Sequence, residues 1–149
     1  MIPISTDPNQ PGTLRFKLFG MPVAVHWFFW LVALLISPVL HVANSPQGFQ
    51  LLVIWIAVVF VSILVHEFGH AFAFRRYGGR PSIMLWGMGG FATAPGRYTR
   101  NQNIVITAAG PGVQLVLAGI FYLLLKTGVS GIVAIACLFM VQVLSLIHI

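Results

Sequence analysis

Three residues have the types and spacing that chemistry needs. His66, Glu67 and His70 lie in the run Ser62-Ile63-Leu64-Val65-His66-Glu67-Phe68-Gly69-His70-Ala71. On a helix, residues four apart stand one turn above each other on the same face. His66 and His70 can therefore aim both imidazoles at one metal ion. Glu67 is placed beside them to take a proton from a metal-bound water. Two ligands and a general base in this order are the donor set of zinc-dependent peptide hydrolysis. A pattern with three fixed letters also arises by chance in soluble helices. Its setting here argues against chance. The chain has only two acidic residues, Asp7 and Glu67. An ionisable group inside a membrane helix costs about 2.5–3.5 kcal/mol on insertion scales, so such groups are usually functional.

The elements that must position these residues are apolar. The 149 residues are 58% hydrophobic and 7% charged, with a mean hydropathy of +0.95. No soluble domain of this size needs so much apolar surface. The composition predicts an all-α polytopic membrane protein with one compact bundle of about four transmembrane helices. The net charge of +6 fits basic residues at membrane flanks, and no nucleic-acid partner is expected. The single cysteine, Cys137, excludes a disulfide framework and a cysteine-based zinc site. It reads as a small core residue.

Residues 1–20 are polar and contain Pro and Gly. They lack a signal-peptide core and read as a cytosolic tail. The remaining residues, 21–149, read as the transmembrane core. The first span is expected over about 23–42, opening with the aromatics around His26 and kinked by Pro38. The second covers about 49–74 and ends at Arg75-Arg76. The metal motif thus falls near its C-terminal end, with His70 roughly 8 Å and His66 roughly 14 Å from Arg75 along the axis. Residues 81–96 carry no charge but are too short and Gly-rich to cross. Pro81 to Trp86 could form a strand that turns at Gly87-Met88-Gly89-Gly90 and returns through Phe91-Ala92-Thr93. A short Gly-rich re-entrant loop or hairpin is expected there, since irregular backbone survives at membrane depth only where protein or water satisfies it. An ordinary surface loop is the plainer alternative. The third span, about 103–125, holds the small residues of Ala108-Ala109-Gly110 before Pro111, and then Gln114. Small residues let helices approach closely. Gln114 is a lone polar side chain, equally readable as a structural inter-helix hydrogen bond. The fourth span covers about 129–149.

Basic residues set the topology. Arg15, Lys17, Arg75, Arg76, Arg80, Arg97 and Arg100 fall on one side and Lys126 on the other. The positive-inside rule places the N-terminus and the metal motif towards the cytosol. Counted from Gly20, His26 lies roughly 9 Å into the bilayer, at a depth similar to that of His70. It is expected to face the motif; the alternative is a ring at the aromatic belt facing headgroups.

Together these residues resemble the site-2 protease family of intramembrane zinc metalloproteases. His66-Glu67-Phe68-Gly69-His70-Ala71 looks like the family's zinc motif. Val25-His26-Trp27-Phe28 is similar to the start of its first helix. Leu85-Trp86-Gly87-Met88-Gly89-Gly90 looks like its membrane-associated loop, and Ala109-Gly110-Pro111 resembles the start of its Gly-Pro-x-x-Asn element. The resemblance covers most of the chain from about residue 20. It implies Zn2+ held by His66 and His70, with Glu67 as catalytic base. His26, Gln114, Gly89 and Gly90 then become candidates for backing the ligands or binding substrate. Two departures stand out. Gln114 occupies the place of the family's Asn. The family's third ligand, an aspartate in an Asn-x-x-Pro…Asp-Gly motif, has no counterpart, and the chain is expected to be cut short before it. Asp7, His26, His148 and the carboxylate of Ile149 are weak substitutes.

The resemblance implies hydrolysis of peptide bonds in the transmembrane helix of another protein, in a multi-pass protein of a prokaryotic cell membrane. The Gly-rich 82–93 segment could offer a strand edge to the unwound substrate. The rival class is a non-catalytic membrane zinc-binding or scaffolding homologue, inactive without a third ligand. A metal transporter is disfavoured, because its ligands would be spread over several helices and depths.

Overall fold

The computed structural model describes residues 11–87, 89–128 and 130–146. The fold is mixed rather than all-α. Strands β1 (Thr13–Leu18), β2 (Met21–His26), β3 (Ser82–Trp86) and β4 (Gly89–Thr93) form one sheet in that order. The β1–β2 and β3–β4 pairs are antiparallel, and β2–β3 is parallel. Residues 13–18, expected within a tail, thus belong to the sheet.

Local sequence explains the strands. Leu18 pairs with Met21, leaving Phe19-Gly20 as a two-residue turn. Both take positive φ, 52° and 76°, which matches the right-handed twist of the flanking strands. β2 reads as a continuous apolar run, because it is central and parallel to β3. Val23, Val25, Ile83 and Leu85 are each no more than 1% exposed and form one face of the core. They pack with Phe29 of helix α1 (Trp27–Leu35) and with Phe68 and Ala71 of α2 (Pro46–Arg76).

The first span expected over 23–42 is not there. Its start is β2, and α1 has nine residues. That is roughly 14 Å at 1.5 Å per residue, against a hydrocarbon core of about 30 Å. The helix starts where the His26 ring accepts the Phe28 N–H at 3.2 Å. It ends at Leu35, three residues before Pro38, and a proline biases the residue before it away from helix. Residues 23–26 belong instead to β2, whose apolar run has no periodicity that separates a buried strand from the start of a helix.

Helix α2 has 31 residues, roughly 46 Å. Ser45 caps its start, with Pro46 in the first turn. Its end is a Schellman motif: Gly78 is at φ 80°, and the Gly78 and Gly79 N–H groups bond Arg75 and Phe74 carbonyls at 3.1 and 3.0 Å. Helix α3 (Arg100–Lys126) opens with a Thr99/Gln102 capping box and contains Pro111. Helix α4 runs over Gly131–Leu146. Among the described residues, α2 and α3 are the helices long and apolar enough to cross a membrane.

Candidate active site

The metal motif lies on α2, on the side that meets α3. The His66 and His70 rings face each other, with Nε2 to Nε2 at 3.1 Å. Each ring is held from behind. His66 Nδ1 lies 2.8 Å from Gln114 Oε1, and His70 Nδ1 lies 2.7 Å from the Ile106 carbonyl. Both oxygens belong to α3, and Gln114 is fully buried. Oxygen acceptors at both Nδ1 atoms make those the N–H positions. Each neutral ring then presents a lone pair on Nε2. Two lone pairs facing at this distance repel unless a cation or proton lies between them. This is the arrangement in which a metal-binding histidine donates its other N–H to an outer acceptor. The donor set therefore fits a zinc ion.

Close helix contact makes this possible. A Cβ on Gly69 would lie 2.6 Å from the Ala109 carbonyl oxygen, and one on Gly110 would overlap the His70 imidazole. The two glycines let α3 reach α2 at the depth of the histidines. Pro111 has no N–H for the Thr107 carbonyl, one turn earlier on α3.

Glu67 is 5% exposed. Its carboxylate accepts a backbone hydrogen bond from Ala92 in β4 and lies near His70. A Cβ on Gly90 would lie 2.6 Å from Glu67 Cγ and 2.7 Å from Leu85 Cδ2. Glycine at position 90 is what lets β4 run past the base. Gly89 has open space at its Cβ position. β4 is the edge strand of the sheet, with no strand paired to its outer side among the described residues.

His26 stands elsewhere in its contacts. Its Nδ1 caps α1, and its ring lies against Trp27 and Trp86 at 5.6 and 6.3 Å. It joins no metal-binding group, for among the described residues no three His, Cys, Asp or Glu side chains gather at one point. Asp7, His148 and Ile149 lie outside the described residues. Two participants had no sequence signal: the Ile106 carbonyl and the Ala92 amide are backbone groups that any residue carries.

A model of peptidase family M50 matches residues 54–147, which includes the motif and both helices that hold it. The chain belongs to peptidase family M50, the site-2 protease family. This M50 chain is 30% identical over 103 residues to a zinc metalloprotease of Methanocaldococcus jannaschii, covering 68% of this chain and 29% of that relative. It is 29% identical over 117 residues to Rip3 of Mycobacterium tuberculosis, which carries the same zinc metalloprotease designation, covering 70% of this chain and 29% of Rip3. The M50 chain thus spans under a third of the length of these relatives. Its fold is similar to that of the site-2 protease from Methanocaldococcus jannaschii, with a TM-score of 0.67 at 21% identity, over 90% of this chain and 63% of that one.

Proposed function

We propose that the chain is the catalytic core of an intramembrane zinc metalloendopeptidase that cuts membrane-spanning protein substrates. The observation that carries this reading is the pair of Nε2 atoms at 3.1 Å, each on a ring anchored through Nδ1 to an oxygen of α3. His66 and His70 would hold the ion. When bound, zinc lowers the pKa of water and polarises the scissile carbonyl. Glu67 accepts the proton of the attacking water and returns it to the leaving nitrogen. The Ala92 amide holds that carboxylate in place. A catalytic zinc takes three protein ligands and a water. The described residues supply two, so the third is to be sought outside them.

The free edge of β4 runs beside the base, and a substrate stretch pulled out of its helix can pair there. Within the expected 82–93 segment the edge is that of β4, because β3 is paired on both sides. In this reading the Arg-flanked ends of α2 and α3 and the active site face the cytosol, and 21–149 is the membrane core with β1 attached to it.

The test is Glu67→Gln in the complete gene product, assayed in membranes against a co-expressed transmembrane substrate. Cleavage is lost while zinc content stays. A zinc-binding scaffold would show no cleavage before the change, and full cleavage after it would remove Glu67 from the chemistry.

A further inference from the structure

One residue of the sheet is held in a conformation that its side chain disfavours. Phe19 has φ 52°, in the left-handed region that bulky L residues rarely adopt. In a two-residue hairpin turn of this hand, Asn is a usual first residue and Gly the second. Gly20 follows that rule and Phe19 breaks it. The Phe19 ring is 63% exposed, so burial does not account for the choice. An outlier of this kind persists where its surroundings fix it.

Three side chains of α2 fix it. The Phe19 ring stands edge-on to Phe68, with centroids 5.4 Å apart, and tilts over Phe72 at 5.8 Å. Phe68 and Phe72 are themselves paired at 5.7 Å. Arg75 Nη1 donates to the Phe19 carbonyl at 2.9 Å. With 3.6 residues per turn, Phe68, Phe72 and Arg75 stand roughly 80–140° around α2 from Glu67. Fully buried Ala71 lies between them and Glu67, in the core beneath the sheet. The sheet therefore crosses α2 with two attachments. One is the β1–β2 turn, and the other is the bond from Ala92 to Glu67. Pairing is continuous from β1 through β2 and β3 to β4. Hydrogen-bonded strands keep a spacing of about 4.8 Å, so a tilt of the sheet that lifts the turn also moves β4 against the base.

We propose that Phe19 is a positioning residue for the active site: with Arg75 it pins the β1–β2 turn to α2 and so sets how closely β4 approaches Glu67. Asn at position 19 would make the better turn but offers no ring to Phe68 and Phe72, which is why the strained residue stands there. The kinetic effect rests on the proposed peptidase function. The pinning of β4 rests on the packing alone.

The test compares Phe19→Asn, Phe72→Ser and Phe19→Tyr in the complete gene product. Hydrogen exchange by mass spectrometry is read over residues 13–26 and 89–93, with zinc content measured on the same samples. Phe19→Asn relieves the turn and removes the ring. It is expected to speed exchange at 89–93 about tenfold, the scale of one lost aromatic pair. Phe72→Ser leaves the turn as it is and does the same at 89–93. Phe19→Tyr keeps the ring and restores the slow exchange. In cleavage assays kcat falls about tenfold in the first two variants at unchanged zinc content, less than the roughly 100-fold loss of a 1 Å misplacement. Exchange at 89–93 that stays at the wild-type rate overturns the proposal, by confining the pin to its own hairpin. Zinc loss alongside faster exchange at 89–93 also overturns it, by assigning the effect to general loosening of α2. Exchange decides without proteolysis, so a wild-type protein that cleaves nothing would refute the peptidase reading and leave the pinning of β4 in place.

Discussion

At the scale of single residues, the site depends on atoms behind the ligands as much as on the ligands. Gln114→Leu keeps the volume but removes the acceptor for His66 Nδ1. Loss of such an outer partner typically costs about 10–100-fold in metal affinity, so zinc titration of this variant should show a shift of that order. Gln114→Asn shortens the side chain and is expected to fall between the two. Unchanged affinity in Gln114→Leu would mean that the 2.8 Å contact does not support the ligand. Gly90→Ala tests the other side of the site. Its new Cβ would lie 2.6 Å from Glu67 Cγ, closer than carbon atoms tolerate. Either the carboxylate or β4 must shift, and a displacement of about 1 Å can cost around 100-fold in rate. The expected outcome is a collapse of kcat with zinc content unchanged; wild-type turnover would show that β4 moves away freely.

At the scale of elements, the α2–α3 contact decides whether the rings have anything to lean on. Gly69→Val places branched carbons against the Ala109 carbonyl and Gly110 Cα. Overpacking of this kind costs about 1–3 kcal/mol, read as a lowered unfolding midpoint, and it should release zinc as well, because both Nδ1 partners sit on α3. Retained zinc in a destabilised variant would separate packing from ligation. The same contact shows what the sequence makes legible. His66, Glu67, His70 and the small residues at 108–110 follow from spacing and composition alone, and the 82–93 hairpin follows from its glycines. The sheet as a whole did not. Periodicity cannot tell a buried parallel strand such as β2 from the start of a helix, and the pairing of β2 with β3 joins residues about sixty positions apart. Nor could Ile106 and Ala92 be found, since their contributions are a carbonyl and an amide.

At the scale of the whole molecule, the basic residues carry the proposed orientation. Arg75, Arg76, Arg80, Arg97 and Arg100 flank the ends of α2 and α3 nearest the motif, and Lys126 ends α3 at the other side. Single cysteines at 97 and 127, in a Cys137→Ala background, should label from opposite sides of sealed vesicles, with 97 reached from the cytosol. Labelling of both from one side would reverse or abolish the assigned topology. The order in which the parts are made also matters. Glu67 and both histidines leave the ribosome before any of the groups that orient them. Ala92 follows Glu67 by 25 positions, Ile106 follows His70 by 36, and Gln114 follows His66 by 48. At about 5–20 residues per second, several seconds pass in which α2 exists without the amide at its base or the oxygens behind its rings. Under the proposed function, the nascent helix during that interval carries its histidines and carboxylate without the groups that would make them a cutting centre.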